Sequence, residues 1–292
     1  VIAVTGSNGK TTVKEMIAAI LAAEHGEDGR LATRGNLNNE IGVPMTLMRL
    51  TDAHKAAVVE LGMNHPGEIG RLSAIAAPTI GLVNNAQREH QEFMHTVEAV
   101  AQENGAVIAG LPANGVAVFP ADDTYTGLWM DLAQQRGQRK VITFGLNNAA
   151  NVSCAHRASV DGSELDVTVA GTGKEDGTFS VKLAAFGLHN VRNALASIAC
   201  AVAAGIERDA IVRGLESFAP VSGRLQRKQA VCGATVIDDT YNANPDSVRA
   251  AIDVLAEAAA PRILVLGDMG EVGTQGREFH EEIAAYAASR GI

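Results

Sequence analysis

A run of glycines, hydroxyl side chains and one lysine near the start of the chain has the composition of a phosphate-binding loop. Its residues are Thr5, Gly6, Ser7, Asn8, Gly9, Lys10, Thr11 and Thr12. The glycines let backbone N–H groups surround a phosphate, Lys10 can reach the terminal phosphates, and Thr11 offers a hydroxyl to Mg²⁺. The generic Walker pattern places a glycine at the position of Val4, so this loop is a shortened variant. The position of the loop between an apolar run and a helical pattern favours a nucleoside-triphosphate site over an ordinary glycine-rich turn.

A carboxylate follows another apolar run. Glu60 lies at the end of Ala57–Leu61, which we expect to be a strand parallel to the strand before the phosphate loop. Ligands of open α/β sheets collect at the carboxyl ends of the strands, so Glu60 can face the triphosphate and hold Mg²⁺. A helix cap or a loop charge is the alternative role for this residue.

The first half of the chain has the alternation of elements that such a site requires. Short β-branched runs predict strands at Val1–Val4, Ala57–Leu61, Ile80–Asn84, Val116–Phe119 and Val141–Phe144. Segments at helical spacing predict helices at Thr11–Ala23, Pro66–Ala76, Thr96–Leu111 and Tyr125–Arg136. The strand runs are apolar on both faces, which predicts an α/β fold with a mostly parallel sheet and helices on both of its faces.

The pattern changes after Asn151. Stretches with alternating polarity predict a small antiparallel sheet from Val152–Val160, Leu165–Val169 and Thr178–Phe186. Helices are expected at Val191–Ala204 and Ala210–Phe218.

A loop signal at Pro220–Gly223 precedes a second unit, and we divide the chain into domains 1–227 and 228–292. Strands Ala234–Asp238 and Arg262–Leu266 alternate there with helices Pro245–Ala259 and Gly276–Arg290. Two β/α pairs are too few for an independent open sheet, so we interpret this unit as the start of a Rossmann-like α/β domain. The apolar strand at Val1 has no segment before it, and we expect the native protein to begin earlier.

Composition excludes several classes of protein. The chain has 24 Lys and Arg against 33 Asp and Glu, a net charge of −9, which disfavours a general binder of nucleic acid or anionic membranes. The three cysteines, Cys154, Cys200 and Cys232, are far apart and indicate neither a disulfide framework nor a thiolate zinc site. No run approaches the roughly 20 apolar residues of a membrane helix. We therefore expect a cytoplasmic protein without membrane insertion.

The phosphate loop resembles that of the Mur ligase superfamily, ATP-dependent ligases that join a carboxylate to an amine through an acyl phosphate. Three further segments resemble one branch of it and occur in the family's order: Glu60–Ile69, Asp239–Pro245 and Leu266–Glu271. The resemblance implies addition of D-alanyl-D-alanine to a UDP-N-acetylmuramoyl-tripeptide in peptidoglycan precursor synthesis, with ATP and Mg²⁺ as cofactors. We expect the protein to be a monomer. It also implies that the chain is the central ATPase domain with the front of the C-terminal domain, and lacks the family's N-terminal domain.

The resemblance assigns roles to residues whose types leave them ambiguous. By residue type His90 is a solvated loop histidine, whereas the resemblance places it on a second Mg²⁺. Arg224 is either a solvated hinge arginine or a contact of the γ-phosphate. Asn190 could be a helix cap, but with Asn193 it is implied to face the adenine. Lys10, Glu60, His90 and Arg224 would together act on the phosphates and metals.

Further residues are implied to contact the nucleotide or the peptide substrate. Those that would close over the nucleotide from the second unit are Asp239, Tyr241 and Asn242. Those implied to face the muramoyl-peptide are Asn36, Asn38, Asn39, Asn64 and His65, for which local turn hydrogen bonding is the alternative.

The chain departs from the family at one position. Many members carry a carbamylated lysine that supports the second metal, and Asn104 stands at the matching position. An amide cannot form a carbamate, so either Asn104 or Glu103 supports that metal or the second site is weaker.

Two other functions remain as alternatives. Another amide ligase of the superfamily, such as a second cell-wall ligase or a folylpolyglutamate synthase, would share the ATP site but not the acceptor; the segments Glu60–Ile69 and Asp239–Pro245 argue against it. A P-loop protein that binds ATP only to change conformation would be expected to have the generic Walker glycine spacing, which this loop lacks.

Overall fold

A nine-stranded sheet organises the larger part of the molecule. The computed structural model describes residues 1–135, 137, 139–147 and 149–292, with residue 91 described for its backbone alone. The strands are β1 (Ile2–Thr5), β2 (Arg30–Ala32), β3 (Ala56–Glu60), β4 (Ile80–Val83), β5 (Val116–Pro120), β6 (Lys140–Phe144), β7 (Val152–Ser159), β8 (Gly162–Val169) and β9 (Gly177–Leu183). Their order across the sheet is β2-β3-β1-β4-β5-β6-β7-β8-β9. A separate two-stranded sheet pairs β10 (Gln226–Gln229) with β11 (Thr235–Asp238).

Helices cover the large sheet and form most of the second unit. They are α1 (Lys10–His25), α2 (Gly42–Leu47), α3 (Glu68–Ala76), α4 (Gln91–Met94), α5 (Val97–Ala109), α6 (Thr126–Gln134), α7 (Leu188–Ala203), α8 (Arg208–Ser217), α9 (Pro245–Ala256) and α10 (Gly276–Ser289). Short 3₁₀ turns lie at Glu27–Gly29 and Gly273–Gln275. None of the helices in the described part of the chain has the length and apolar character needed to cross a membrane.

The central parallel strands β1, β3, β4 and β5 are buried on both faces, as their uniformly apolar sequences predict. Successive side chains of a strand point to opposite faces. Ile2 and Val4 of β1 pack into the core that α1, α7 and α8 cover, whereas Ala3 packs into the core beneath α3, α5 and α6. The predicted α/β class, with helices on both faces of a mostly parallel sheet, is therefore confirmed.

The register of the parallel strands brings the candidate residues to one edge. Val4 of β1 pairs with Glu60 of β3, and Thr5 pairs with Val83 of β4. The phosphate loop, Glu60 and the segment after Val83 therefore leave the sheet side by side. This is the edge where open α/β sheets bind ligands.

The predicted antiparallel strands are present and continue the main sheet. β7 joins it by a parallel contact between Phe144 and Val152, and β8 and β9 then pair antiparallel. The meander thus extends the parallel sheet at its outer edge.

The second unit has its own small core and differs from the expectation in one element. Its core contains Val248, Ile252, Met269, Phe279, Ile283 and Ala287. The strand predicted at Arg262–Leu266 does not form, and Ile263 and Val265 are 79% and 90% exposed. Apolar β-branched residues favour a strand only where a neighbouring strand can pair with it, and among the described residues β11 pairs with β10 alone.

Several boundaries also differ from those predicted. The helix expected at Tyr125–Arg136 ends at Gln134, and residue 136 itself lies outside the described residues. The division between residues 227 and 228 falls within β10, a strand that sequence patterning missed along with β2, α2 and α4. The division into domains stays a prediction.

Candidate active site

One cavity at the carboxyl ends of the strands collects most of the predicted site residues. Its volume is about 970 Å³. The predicted residues among its lining are Ser7, Asn8, Gly9, Lys10, Thr11, Thr12, Asn36, Asn38, Asn39, Glu60, Asn64, His65, His90, Asn190, Asn193, Arg224, Asp239, Tyr241 and Asn242. Thr5 and Gly6 lie behind this lining, as buried parts of the phosphate loop. The fold thus brings together predicted residues that are up to 237 positions apart along the chain, from Thr5 to Asn242.

The phosphate loop is packed so closely that one of its positions admits only glycine. Gly9 has φ +82°, and a Cβ there would lie 2.4 Å from Asn193 Oδ1 and 2.8 Å from Asn84 Nδ2. Helix α1 begins at the next residue, so its N-terminus and unpaired N–H groups face the cavity. Such an end attracts anions.

Lys10 is held inside the loop by oxygen acceptors. Its Nζ donates to the carbonyl oxygens of Gly6 at 2.7 Å and Ser7 at 3.0 Å, and to Glu89 Oε1 at 2.8 Å. Glu89 was not singled out in the sequence. The available signal was an acidic residue directly before His90 in the loop after a strand.

Glu60 is a buried carboxylate with one oxygen atom available to a cation. It is 2% exposed, and its Oε1 accepts from Thr11 Oγ1 at 3.2 Å and Asn38 Nδ2 at 2.9 Å. Its Oε2 has no hydrogen-bond partner among the described residues. A buried carboxylate oxygen without a partner is costly, and a cation would offset that cost.

The donor set at Glu60 fits Mg²⁺. Thr11 and Glu60 supply hard oxygen ligands, and Mg²⁺ in nucleotide sites usually takes one or two protein ligands together with phosphates and waters. Within the described part of the chain, no group of three or more His, Cys, Asp or Glu residues forms an all-protein metal site. The arrangement therefore suits a metal that arrives with its nucleotide.

Arg224 reaches the phosphate loop from the segment between α8 and β10, just before the second unit. Its Nη2 donates to Thr11 Oγ1 at 3.0 Å, and its guanidinium lies 4.2 Å from the ring centroid of Tyr241. Asp239 accepts from the backbone N–H of Leu225 at 3.1 Å, and burial raises the pKa of this carboxyl. The guanidinium of Arg224 is thus held next to Thr11 and close to Lys10.

His90 lies in the cavity between two carboxylates. Its Nδ1 is 2.5 Å from Glu271 and its Nε2 is 3.4 Å from Glu89. Burial lowers the pKa of His90, but its hydrogen bond and charge interaction with Glu89, helped by Glu271, raise that pKa overall. The imidazole is therefore bound to acidic side chains, and its role as a metal ligand stays a prediction.

Asn104 and Glu103 both hold backbone groups. Asn104 is fully buried, and its Oδ1 accepts from Thr5 Oγ1 at 2.5 Å and from the N–H of Gly6 at 3.0 Å. Glu103 accepts from the N–H groups of Gly67 and Ile69, each at 2.8 Å, at the start of α3. The position that matches the family's carbamylated lysine therefore supports the phosphate loop.

Asn190 and Asn193 are linked to each other at the start of α7. Asn193 Oδ1 accepts from Asn84 Nδ2 at 3.0 Å, and its Nδ2 donates to Asn190 Oδ1 at 3.1 Å. Asn190 Nδ2 donates to the carbonyl of Phe186 at 2.9 Å. Asn193 packs against Gly9 of the phosphate loop, and Asn190 holds Asn193 in place. The contact of these amides with adenine stays a prediction.

The residues expected to face the peptide substrate also line the cavity. Asn38 reaches Glu60, and Asn39 Oδ1 accepts from the N–H of Gly42 at 2.9 Å, at the start of α2. Glu68 accepts from the N–H groups of Asn64 at 2.6 Å and His65 at 3.1 Å. Local loop hydrogen bonding, the alternative for these positions, is therefore present, although the side chains also line the cavity.

An amide pair joins the phosphate loop to the second unit. Asn244 Nδ2 donates to Asn8 Oδ1 at 2.8 Å, and Asn8 Nδ2 donates to Gln87 Oε1 at 2.6 Å. Asn244 was missed, although it belongs to the segment Asp239–Pro245 on which the resemblance rests. Arg192, also missed, binds Asp122 through two hydrogen bonds of 2.8 Å on the wall near Asn190.

Two family models match the chain. The model described as Mur ligase middle domain matches residues 4–201, and that described as Mur ligase, glutamate ligase domain matches residues 223–292.

Three individual proteins show how similar the chain is to known ligases in sequence and in structure. The UDP-N-acetylmuramoyl-tripeptide--D-alanyl-D-alanine ligase of Escherichia coli K12 is 41% identical over 292 residues, which are 100% of this chain and 63% of that protein. A crystal structure of MurF from Acinetobacter baumannii has a TM-score of 0.91 at 35% identity, and covers 99% of this chain and 61% of its own. MurF ligase from Thermotoga maritima in complex with ADP has a TM-score of 0.83 at 26% identity, with 98% and 63% coverage. The chain thus spans about three fifths of the length of these relatives.

Proposed function

The chain belongs to the Mur ligase family, and from this premise we propose that it forms the ATP-binding part of a ligase that adds D-alanyl-D-alanine to a UDP-N-acetylmuramoyl-tripeptide. The observation that carries the proposal is the convergence at Thr11 of a phosphate loop, a buried carboxylate and Arg224 from the segment before β10. The 41% identical relative, a UDP-N-acetylmuramoyl-tripeptide--D-alanyl-D-alanine ligase, suggests the substrates.

The proposed reaction activates a carboxylate and then forms an amide. A carboxylate oxygen of the tripeptide attacks the γ-phosphorus of ATP, and ADP leaves. The amine nitrogen of D-alanyl-D-alanine attacks the acyl carbon, inorganic phosphate leaves with the C–O bond electrons, and the amine loses a proton. Phosphorylation is needed because a carboxylate oxygen is a poor leaving group.

The chain's own residues would position and neutralise the phosphates. Lys10 and the N-terminus of α1 provide positive charge at the loop, and Arg224 adds a further positive charge beside Thr11. Fixed cations at the developing charge of a phosphoryl transfer are a principal source of its rate enhancement. Asp239 and Tyr241 hold the segment that carries Arg224.

Thr11 and Glu60 are the residues that would hold Mg²⁺. When bound, the metal ion would supply further neutralisation of the triphosphate. Asn104 and Glu103 do not fit the support of a second metal, because their oxygens hold backbone N–H groups. No step of the proposed reaction depends on a second metal.

Location and assembly complete the proposal. ATP as substrate and three free cysteines, Cys154, Cys200 and Cys232, favour the cytoplasm. A monomeric state and the absence of nucleic-acid partners stay predictions from the sequence.

Release of ADP by the protein at its full natural length tests the function. With Mg-ATP and UDP-N-acetylmuramoyl-tripeptide, we expect release that requires D-alanyl-D-alanine. Lys10→Ala should lower kcat at least about 100-fold with an unchanged melting curve, whereas the exposed Lys55→Ala serves as the matched control and should not. Release that follows a single amino acid or a folate would leave the ATP site in place and overturn the acceptor. An unchanged kcat in Lys10→Ala would overturn the site.

A further inference from the structure

The loop that follows β4 contacts both the phosphate loop and the second unit. Arg88 in this loop makes the contacts to the second unit. Its Nη2 donates to Asp246 Oδ1 at 2.7 Å, its Nη1 donates to Glu282 Oε2 at 2.9 Å, and its guanidinium lies 5.5 Å from the ring centroid of Phe279. Its backbone N–H also donates to Asp246 Oδ2 at 2.9 Å. One arginine therefore uses its side chain and its backbone on the same neighbour.

The two carboxylates belong to different helices of the second unit. Asp246 lies in the first turn of α9, which begins with a capping box between Asn244 and Ser247. Glu282 lies on α10 and also binds Arg249 of α9 at 2.9 Å. Phe279 is part of the small core between these helices. Arg88 thus contacts the second unit at three points of its packed interior face.

The neighbours of Arg88 in sequence hold the phosphate loop. Gln87 donates its N–H to Ser7 Oγ at 2.9 Å and accepts from Asn8 Nδ2, and Glu89 accepts from Lys10 Nζ at 2.8 Å. Three consecutive residues therefore connect the loop that would bind phosphate with the helices of the second unit. The connection is short.

The contact is also strong in chemical terms. Arg88 and both carboxylates are about three quarters removed from solvent, with exposures of 25%, 22% and 32%. The hydrogen bond to Asp246, opposed by burial and reinforced by Glu282, raises the pKa of Arg88. Charge-assisted bonds with two carboxylates exceed an ordinary surface ion pair, which contributes little.

We propose that Arg88 is a positioning residue that holds α9 and α10 against the phosphate loop, so that Arg224 stays within reach of Thr11. This proposal rests on the proposed function only for its kinetic consequence. Without Arg88 the second unit would spend less time in the arrangement in which Arg224 and Lys10 both face the nucleotide site. The apparent affinity for nucleotide would fall by the fraction of time lost.

The distance between the two units can be measured without any ligand. Trp129, the single tryptophan of this chain, lies buried on α6 and serves as the energy-transfer donor. An acceptor dye is attached at Ala288→Cys, an exposed position of α10, in a Cys232→Ser background; Cys154 and Cys200 are buried. We expect Arg88→Ala and Asp246→Asn to lower the transfer efficiency. Arg249→Ala, which loses a bond to Glu282 within the second unit, is the matched control and should leave it unchanged.

Nucleotide affinity and kinetics provide the second measurement. In Arg88→Ala we expect the Kd for Mg-ADP to rise about 10-fold or more and kcat/KM for ATP to fall in parallel, with a melting temperature close to that of the wild type. Arg88→Lys should restore little, because an ammonium cannot bridge two carboxylates as a guanidinium does.

The outcomes separate the two proposals. Transfer efficiency and Kd equal to the wild type in Arg88→Ala would overturn the role of Arg88. The same drop in Arg249→Ala would also overturn it, since the effect would then lie within the second unit. A wild type that binds Mg-ADP but does not join D-alanyl-D-alanine would overturn the proposed function and leave the role of Arg88 standing.

Discussion

Replacing Asn104 with alanine should destabilise the phosphate loop without altering any residue that lines the cavity. Asn104 lies on α5 beneath the loop, and its Oδ1 accepts from both Thr5 and Gly6. Alanine removes that acceptor and leaves a hydroxyl and a backbone N–H buried without it. The helix itself should tolerate the change, since alanine has the highest helix propensity.

The expected loss of stability follows from the groups involved. Each buried donor left unsatisfied costs about 1–3 kcal/mol, so two donors cost about 2–6 kcal/mol. Asn104 Nδ2 has no hydrogen-bond partner within the described residues, and removing this buried amide group recovers part of that cost. We therefore expect the free energy of unfolding to fall by about 3 kcal/mol, which corresponds to a lower Tm by roughly 6–12 °C.

Urea unfolding followed by tryptophan fluorescence measures this change close to the substitution. Trp129 of α6 donates its Nε1–H to the carbonyl of Ala101 at 3.0 Å, and Ala101 lies on α5 together with Asn104. The emission of Trp129 therefore reports the packing of α5. Gln102→Ala is the matched control, because Gln102 is exposed on that helix and should change stability by less than about 0.5 kcal/mol.

One result would refute the reasoning. If Asn104→Ala and Gln102→Ala unfold at the same urea concentration with the same slope, the carboxamide does not hold the loop. If Asn104→Ala loses stability but binds Mg-ADP as the wild type does, the carboxamide supports the fold without shaping the phosphate site.

Two further predictions concern the phosphate loop and the acid sensitivity of the fold. Gly9→Ala should weaken Mg-ADP binding at least about tenfold in a calorimetric titration, because a Cβ would meet Asn193 Oδ1 at 2.4 Å and φ is +82°; wild-type affinity would contradict the loop conformation. Burial lowers the pKa of His189 to about 4, and the charge of Asp253 opposes part of this shift. In the unfolded chain the histidine has its ordinary pKa of 6.5, so the unfolded state binds the proton more tightly. Stability should therefore fall as pH drops below about 6.5, by about 2 kcal/mol between pH 7 and pH 5, and His189→Gln should remove that part of the pH slope in denaturant titrations. An unchanged slope in His189→Gln would exclude this histidine as the cause.

The parts of the fold that follow from local pattern could be predicted from the sequence. The run before the phosphate loop is apolar on both faces, and only a strand covered on both sides buries all of Ile2, Ala3 and Val4. A strand that ends in a glycine loop and continues as a helix fixes the place of Lys10 and Thr11. Because Glu60 ends a second such strand, its arrival beside Thr11 follows from the parallel register.

The parts that depend on distant contacts could not be predicted in this way. Ile263 and Val265 have the composition of a strand, but pairing requires a neighbour that the segment itself cannot encode. Arg88 was not singled out in the sequence, and its partners Asp246 and Glu282 are 158 and 194 residues away. Asn104 reads as a departure from the family, and only the structure shows that its oxygen accepts from Gly6.

Neutral amides hold the phosphate loop from three sides, and this choice has an electrostatic consequence. Asn104 binds it from below, Asn193 packs against Gly9, and Asn244 of the second unit binds Asn8. Carboxylates at these positions would each add a negative charge beside a site built for a triphosphate, and a carboxylate at position 244 could not donate to Asn8. Amides fix the loop without adding to the negative charge that Glu89 already places beside Lys10, so less of the positive charge of Lys10, Arg224 and the α1 N-terminus is cancelled. The same argument applies to Asn104, which holds the N–H of Gly6 without adding charge. A carbamate at this position would carry a negative charge and would oppose phosphate binding unless a metal ion compensated it.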